Sequence, residues 1–299
     1  VLDRRGRVVA FGGRVLPEHL QTPSRGDYTP AKYINTAETA LFDKGRMLYG
    51  EWLARPAARD GHTLIVTEGY MDVIACHMAG FKGAVAPMGT ALTDDQIAVL
   101  WQMQGADQGG KDPILCFDGD NAGRRAASRA CDNLLPLIGA GRSARFAFLP
   151  DGEDPDSLLK QSGREALKAV LSSSLSLFDF IWATQVSGRK FETPESRAGL
   201  NKALLGQVAN IQDGDVQHHY KELVRSRISE SFFKPYNKGK PAASKTRSHE
   251  RPQMKGRLKP RAPVGRKMQM GERILLAAML NNPVLYGEVE DEFGQMNMS

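Results

Sequence analysis

The strongest constraint on this chain is a rhythm between Thr63 and Pro150. Four short apolar runs, Thr63–Thr67, Ala84–Ala86, Pro113–Phe117 and Ala144–Leu149, alternate with stretches of helical spacing. Glu68-Gly69-Tyr70-Met71-Asp72 opens a helix that reaches about Met78. Thr93-Asp94-Asp95-Gln96 has the form of a capping box and opens the next. A third runs from Asn121 to about Leu135. Strand and helix alternating at this spacing predict βαβ units, hence a parallel sheet covered by helices. In such sheets ligands gather at the carboxyl ends of the strands.

Acidic residues follow three of those runs: Glu68 with Asp72, Asp118 with Asp120, and Asp151 with Asp154 and Asp156. Any one cluster is equally well explained as a turn or a helix cap. Three behind three strands of one sheet would meet at one edge. Converging carboxylates repel unless a cation lies between them. Their hard oxygens suit Mg²⁺ or Mn²⁺, which take few protein ligands and leave positions for phosphate. That arrangement fits metal-assisted phosphoryl transfer. Gly69, Gly119 and Gly123 are expected to let the backbone approach a metal or phosphate closely. The helix opening near Asn121 is expected to offer free N–H groups as a phosphate seat.

Composition excludes several classes. No apolar run approaches the roughly 20 residues needed to cross a bilayer. No signal peptide opens the chain. The three cysteines, Cys76, Cys116 and Cys131, lie in no zinc-ligand pattern, and the first two are expected to be buried in a reducing cytoplasm. The net charge of +6 is unevenly placed. Residues 234–267 hold twelve Lys and Arg and one acid, while the remainder holds 28 basic and 33 acidic residues. The folded body is therefore mildly acidic, which suits cation binding better than coating duplex DNA. Residues 1–55 carry nine basic and six acidic residues and are expected to end in a helix, Lys44–Leu53. Asp156–Phe233 reads as helical.

The two central motifs resemble the Toprim signature: Glu68-Gly69-Tyr70-Met71-Asp72 and Asp118-Gly119-Asp120-Asn121-Ala122-Gly123. The flanks Phe11–Leu16, Lys32–Thr39, Phe42–Gly45, Gly89–Thr93 and Leu149–Leu158 resemble the bacterial DnaG-type primases. The similarity runs from about Asp3 to Phe233, in that family's order.

The resemblance implies an α/β fold: a Toprim-type, mostly parallel sheet flanked by helices. Part of a mixed α+β basic subdomain would precede it and a helical subdomain would follow. The expected division is residues 1–55 for the basic subdomain, 56–155 for the Toprim domain and 156–233 for the helical subdomain. A basic disordered linker, 234–269, and the start of a helicase-contacting helical domain, 270–299, would complete it. The chain is expected to be a fragment, since the family begins with a zinc-binding domain, the only place where zinc is expected. The implied activity is template-directed synthesis of short RNA primers on single-stranded DNA, in the bacterial cytoplasm at the replisome. Glu68, Asp118 and Asp120 would be catalytic. Together with Asp72, Asp154 and Asp156 they would form the Mg²⁺ or Mn²⁺ site. Arg14, Lys32, Tyr33 and Lys44 would line the face that holds nucleic acid and nucleotide. The implied partners are single-stranded DNA, ribonucleoside triphosphates and the replicative helicase, with no membrane, for a monomer. Two other classes remain open at this stage: a DNA-cleaving Toprim nuclease or topoisomerase, and a non-catalytic module gripping single-stranded DNA or helicase.

Overall fold

A computed structural model describes residues 1–16, 33–89, 91–105 and 110–232. Lys32, the basic tract and the segment from 270 onward lie outside the described residues. Chain order begins with a small antiparallel pair, β1 (Gly12–Arg14) and β2 (Tyr33–Asn35), in which Arg14 faces Tyr33. Six strands then build one sheet: β3 (Leu48–Tyr49), β4 (Ile65–Val66), β5 (Ala84–Pro87), β6 (Ile114–Phe117), β7 (Arg145–Phe148) and β8 (Leu175–Ser176). Their spatial order is β3-β5-β4-β6-β7-β8. The four central strands are parallel, and β3 and β8 are antiparallel edges.

The central strands read as apolar runs because both sheet faces are covered. Along β6, Ile114 and Cys116 point to one face, and Leu115 and Phe117 to the other. The first face is covered by α2 (Tyr70–Met78), through Val73 and Cys76, and by α5 (Pro155–Ser172), through Leu158, Leu167 and Leu171. The second holds a larger core with α1 (Glu51–Arg59), α3 (Asp94–Gln104) and α4 (Asn121–Leu134). It continues into α6 (Leu177–Val186), α7 (Pro194–Val208) and α8 (Gly214–Phe232). Phe146 of β7 stacks on Phe180 of α6 with ring centroids 4.3 Å apart, tying the helical segment to the sheet. All three cysteines are buried and free. Among the described residues no helix is long and apolar enough to cross a membrane.

Two sequence expectations are corrected. No helix spans Lys44–Leu53. Residues 44–47 form a turn, Leu48–Tyr49 pair with β5, and the helix begins only at Glu51. The turn is held from a distance by the cap of α3. Thr93 Oγ1 donates to the Gly45 carbonyl (2.5 Å), and Gln96 Nε2 donates to the carbonyls of Lys44 and Met47 (2.9 Å each). Those carbonyls are therefore not free to build a helix, and Gly50 at φ 84° turns the chain before α1. The second correction is in the segment read as wholly helical. Leu175–Ser176 add a sixth strand, anchored where Arg145 Nε donates to Ser174 Oγ (2.9 Å).

The loop after β6 lies against the loop after β7. Gly119 N donates to the Glu153 carbonyl and Gly152 N to the Gly119 carbonyl, both at 3.0 Å. A Cβ on Gly119 would lie 1.7 Å from the Pro150 carbonyl oxygen, and one on Gly123 2.3 Å from that of Asp118. These two glycines thus have a packing role of their own. Their missing side chains admit backbone against backbone. Gly119→Ala is expected to lower stability by about 3 kcal/mol or more, because rigid backbone must move. Urea denaturation measures this, and a loss below about 1 kcal/mol would show that the two loops part easily.

Candidate active site

The strands β4, β6 and β7 are neighbours, and each ends in an acid-bearing loop. Glu68 follows β4, Asp118 and Asp120 follow β6, and Asp154 and Asp156 lie beyond β7 at the start of α5. Asp72 sits one turn into α2. The structure thus brings all six expected acids to the carboxyl edge of one sheet. Asp151 does not join them. Its side chain is 90% exposed and pairs with Arg124 at 3.1 Å.

Most of these acids also hold local backbone. Asp120 caps α4, its Oδ1 accepting from Gly123 N at 2.7 Å, so one amide of the expected phosphate seat is already taken. Asp154 caps α5 in the same way through Ser157 N (2.7 Å). Asp72 Oδ2 accepts from Gly69 N (3.1 Å), and Asp156 Oδ2 from Lys160 Nζ (2.6 Å). Glu68 Oε1 accepts from Asp118 N (3.2 Å), joining the ends of β4 and β6. Asp118 differs from the others: its Oδ1 is buried and has no hydrogen-bond partner among the described residues. An orphaned carboxylate oxygen of this kind is costly unless a proton or a cation reaches it.

The electrostatics agree. Burial, then Glu68, Asp72, Asp154 and Asp120, raise the Asp118 carboxyl from 3.8 to about 7. Burial and Asp154 lead the rise of Asp72 to about 6, against the pull of the Gly69 amide. Burial also raises Glu68, opposed by the Asp118 amide and by Arg129. Among the described residues, no three carboxylate, imidazole or thiolate groups already form a cage around one point. The acids feel one another's charge without making a closed cage. An open edge of this kind matches a small divalent ion held by one or two carboxylates and completed by water and phosphate.

The basic residues are only partly gathered. Arg14 lies over the Tyr33 ring, 5.7 Å from its centroid. Tyr33 meets Tyr70 edge to face at 5.5 Å, and Tyr70 lies 5.6 Å from Tyr49. The pair β1–β2 is thereby seated on the first residue of α2, next to Glu68-Gly69. Lys44 stays in the turn under α3, and no described contact joins its side chain to Arg14, Tyr33 or the acids. Sequence reasoning does not single out Tyr70 or Arg129. Tyr70 buries its hydroxyl without a described partner. Arg129 lines a hollow of about 280 Å³ with Glu68, Gly89 and Phe117. The adjacency of Tyr70 to Glu68-Gly69 was a usable signal, whereas Arg129 is one of three arginines on α4 and its turn of the helix singles out none of them.

A carboxylate-edged, mostly parallel sheet with a cap of this kind defines a Toprim-type protein, and the model of the Toprim domain matches residues 62–144. The model of the DNA primase catalytic core, N-terminal domain, matches residues 1–55. The chain is 38% identical over 228 residues to a DNA primase of Escherichia coli strain K12, covering 76% of this chain and 36% of that protein. It is 35% identical over 298 residues to a DNA primase of Pasteurella multocida, covering 97% of this chain and 45% of that one. It superimposes on a solved DnaG catalytic core with a TM-score of 0.64 at 37% identity, over 77% of this chain and 68% of that chain. A DnaG primase catalytic domain solved bound to single-stranded DNA gives 0.62 at 37% identity, over 76% and 68%. The chain belongs to the bacterial DnaG-type DNA primase catalytic cores. It spans about a third to a half of the length of the curated relatives it matches. A Toprim core of this family implies use of a divalent metal in general.

The raised carboxyls fix the sign of a pH effect. The folded state holds its proton on Asp118 more tightly than the unfolded chain does. That contribution is complete below the ordinary carboxylate value and is lost as pH rises through about 7. In chelator, Asp118→Asn is expected to melt close to the parent protein at pH 5 and several degrees higher at pH 8. Added Mg²⁺ should close the gap at pH 8. An equal gap at both values would refute the electrostatic reading.

Proposed function

We propose that this chain carries the catalytic machinery for template-directed synthesis of short RNA primers on single-stranded DNA. The observation that carries the reading is the buried, unpartnered Asp118 Oδ1 at an edge where acids from three adjacent parallel strands converge. In this reading the carboxylates of Glu68, Asp118, Asp120, Asp154 and Asp156, with Asp72 as support, would hold Mg²⁺ or Mn²⁺. A divalent ion there supplies charge stabilisation for the attacking and leaving oxygens. The 3′-hydroxyl of the growing primer attacks the α-phosphorus of a ribonucleoside triphosphate, and pyrophosphate leaves.

The chain's own residues perform the remaining tasks. The Glu68 carboxylate, hydrogen-bonded to the Asp118 amide, fixes the separation of two acid loops. Arg14 and Tyr33 present a cation and a ring face beside that edge, which suits a phosphate and a base. Lys44 and Lys32 extend that face in this proposal, Lys32 from outside the described residues. A relative's catalytic domain was solved bound to single-stranded DNA, which supports template binding here. The division into a basic subdomain (1–55), a Toprim domain (56–155), a helical subdomain (156–233), a linker (234–269) and a helicase-contacting segment (270–299) belongs to the same proposal.

The test is primer synthesis from labelled ribonucleotides on single-stranded DNA, with the intact protein and Mg²⁺ or Mn²⁺. Asp118→Asn is expected to lower product at least a hundredfold while keeping the melting profile at pH 5. Undiminished RNA in that variant would sink the site assignment, and cut template with no RNA would move the reading to a nuclease. A second expectation concerns the template face. Arg14→Ala should weaken single-stranded DNA binding and reduce its salt dependence by about one phosphate contact. An unchanged salt slope would remove Arg14 from that face.

A further inference from the structure

The sheet has two ends of opposite charge. The carboxylates occupy the carboxyl ends of the parallel strands. At their amino ends lies a hollow of about 610 Å³. Its rim is set by His62 and Thr63 before β4, Lys82 and Gly83 before β5, and Lys111 and Asp112 before β6. Arg145 opens β7, and Arg164 and Lys168 reach in from α5. Five permanent cations thus face a single acid, Asp112, on a body that is otherwise net acidic. Ile65, Phe81, Ile114 and Leu171 form an apolar floor.

The cations are unequally engaged. Arg145 is bound to Ser174, Lys111 Nζ donates to the Gly61 carbonyl at 3.3 Å, and Lys168 pairs with exposed Glu165 at 3.3 Å. Lys82 has no ion-pair partner among the described residues. Arg164 has none either, and its guanidinium lies over the Phe81 ring, 5.5 Å from the centroid. A guanidinium near a ring, on the same rim as an ammonium that has no ion-pair partner among the described residues, is suited to a phosphate, and arginine can also stack on an aromatic base. Its volume falls in the range of small-ligand sites. A polymer would instead call for a continuing stripe of charge.

We propose that this hollow is a second phosphate-binding site, sized for a free nucleotide and separate from the carboxylate edge. The four residues of β6 put about 13 Å of packed sheet between the two ends, and none of the six acids lines this hollow, so the two sites are distinct.

The experiment is calorimetric titration of the full chain with ATP in EDTA, where metal-dependent binding at the carboxylate edge is silenced. It is repeated with inorganic triphosphate and with a short deoxyoligonucleotide. The comparison variant is Lys82→Gln/Arg164→Gln, two exposed positions, with melting as a folding control and Lys82→Arg/Arg164→Lys as the rescue. The basic tract is present in every protein, so the difference belongs to the hollow. The expected result is metal-free, salt-sensitive ATP binding that weakens about tenfold or more in the Gln variant. It should return in the Arg/Lys variant and persist in Asp118→Asn. ATP binding that is absent, that is unchanged in the Gln variant, or that is lost in Asp118→Asn overturns the proposal. So does competition at this hollow by the oligonucleotide alone.

Discussion

Everything at the candidate site depends on how closely the loop after β6 can lie against the loop after β7. Two backbone hydrogen bonds close that contact, Gly119 N to the Glu153 carbonyl and Gly152 N to the Gly119 carbonyl. They form only because position 119 has no side chain to meet Pro150. The clasp sets where Asp118 and Asp120 stand relative to Asp154 and Asp156. Glu68, reaching across to the Asp118 amide, adds the third strand. A sheet core buried on both faces makes these strand ends rigid, so the acids are held against their mutual repulsion by packing elsewhere in the fold.

The acids resolve an apparent choice between structure and chemistry. Asp120 and Asp154 are helix caps, and Asp72 ties down the entry to α2. Each role fixes the carboxylate's direction with one oxygen and leaves the other available. Asp118 has no such anchor, and its buried oxygen carries the strain of the cluster, visible as a carboxyl raised to about 7. The same charge separation places cations at the opposite end of the strands.

Much of this was legible in the sequence, for physical reasons. Ile114–Phe117 reads as a buried strand because both of its faces are covered, and Thr93–Gln96 reads as a cap because its bonds are local. The six acids were found from their places after the strands and from the family pattern together. What was not legible depends on distant partners. The turn at 44–47 is held by Thr93 and Gln96, nearly fifty residues away, so local spacing suggested a helix. The strand at Leu175–Ser176 is two residues long and exists through pairing with β7. The backbone contact at Gly119 was not legible, because no pattern states that its neighbour is Pro150.

The central claim is that a fixed carboxylate edge with one orphaned oxygen at Asp118 binds a divalent ion. Titration with Mn²⁺, followed by the loss of its free-ion paramagnetic resonance signal, tests it most directly. Binding by the parent protein at pH 8 should be lost in Asp118→Asn, weakened in Glu68→Gln and unaffected in Asp151→Asn, whose carboxylate points to solvent. Equal Mn²⁺ binding by the parent protein and Asp118→Asn would contradict the account.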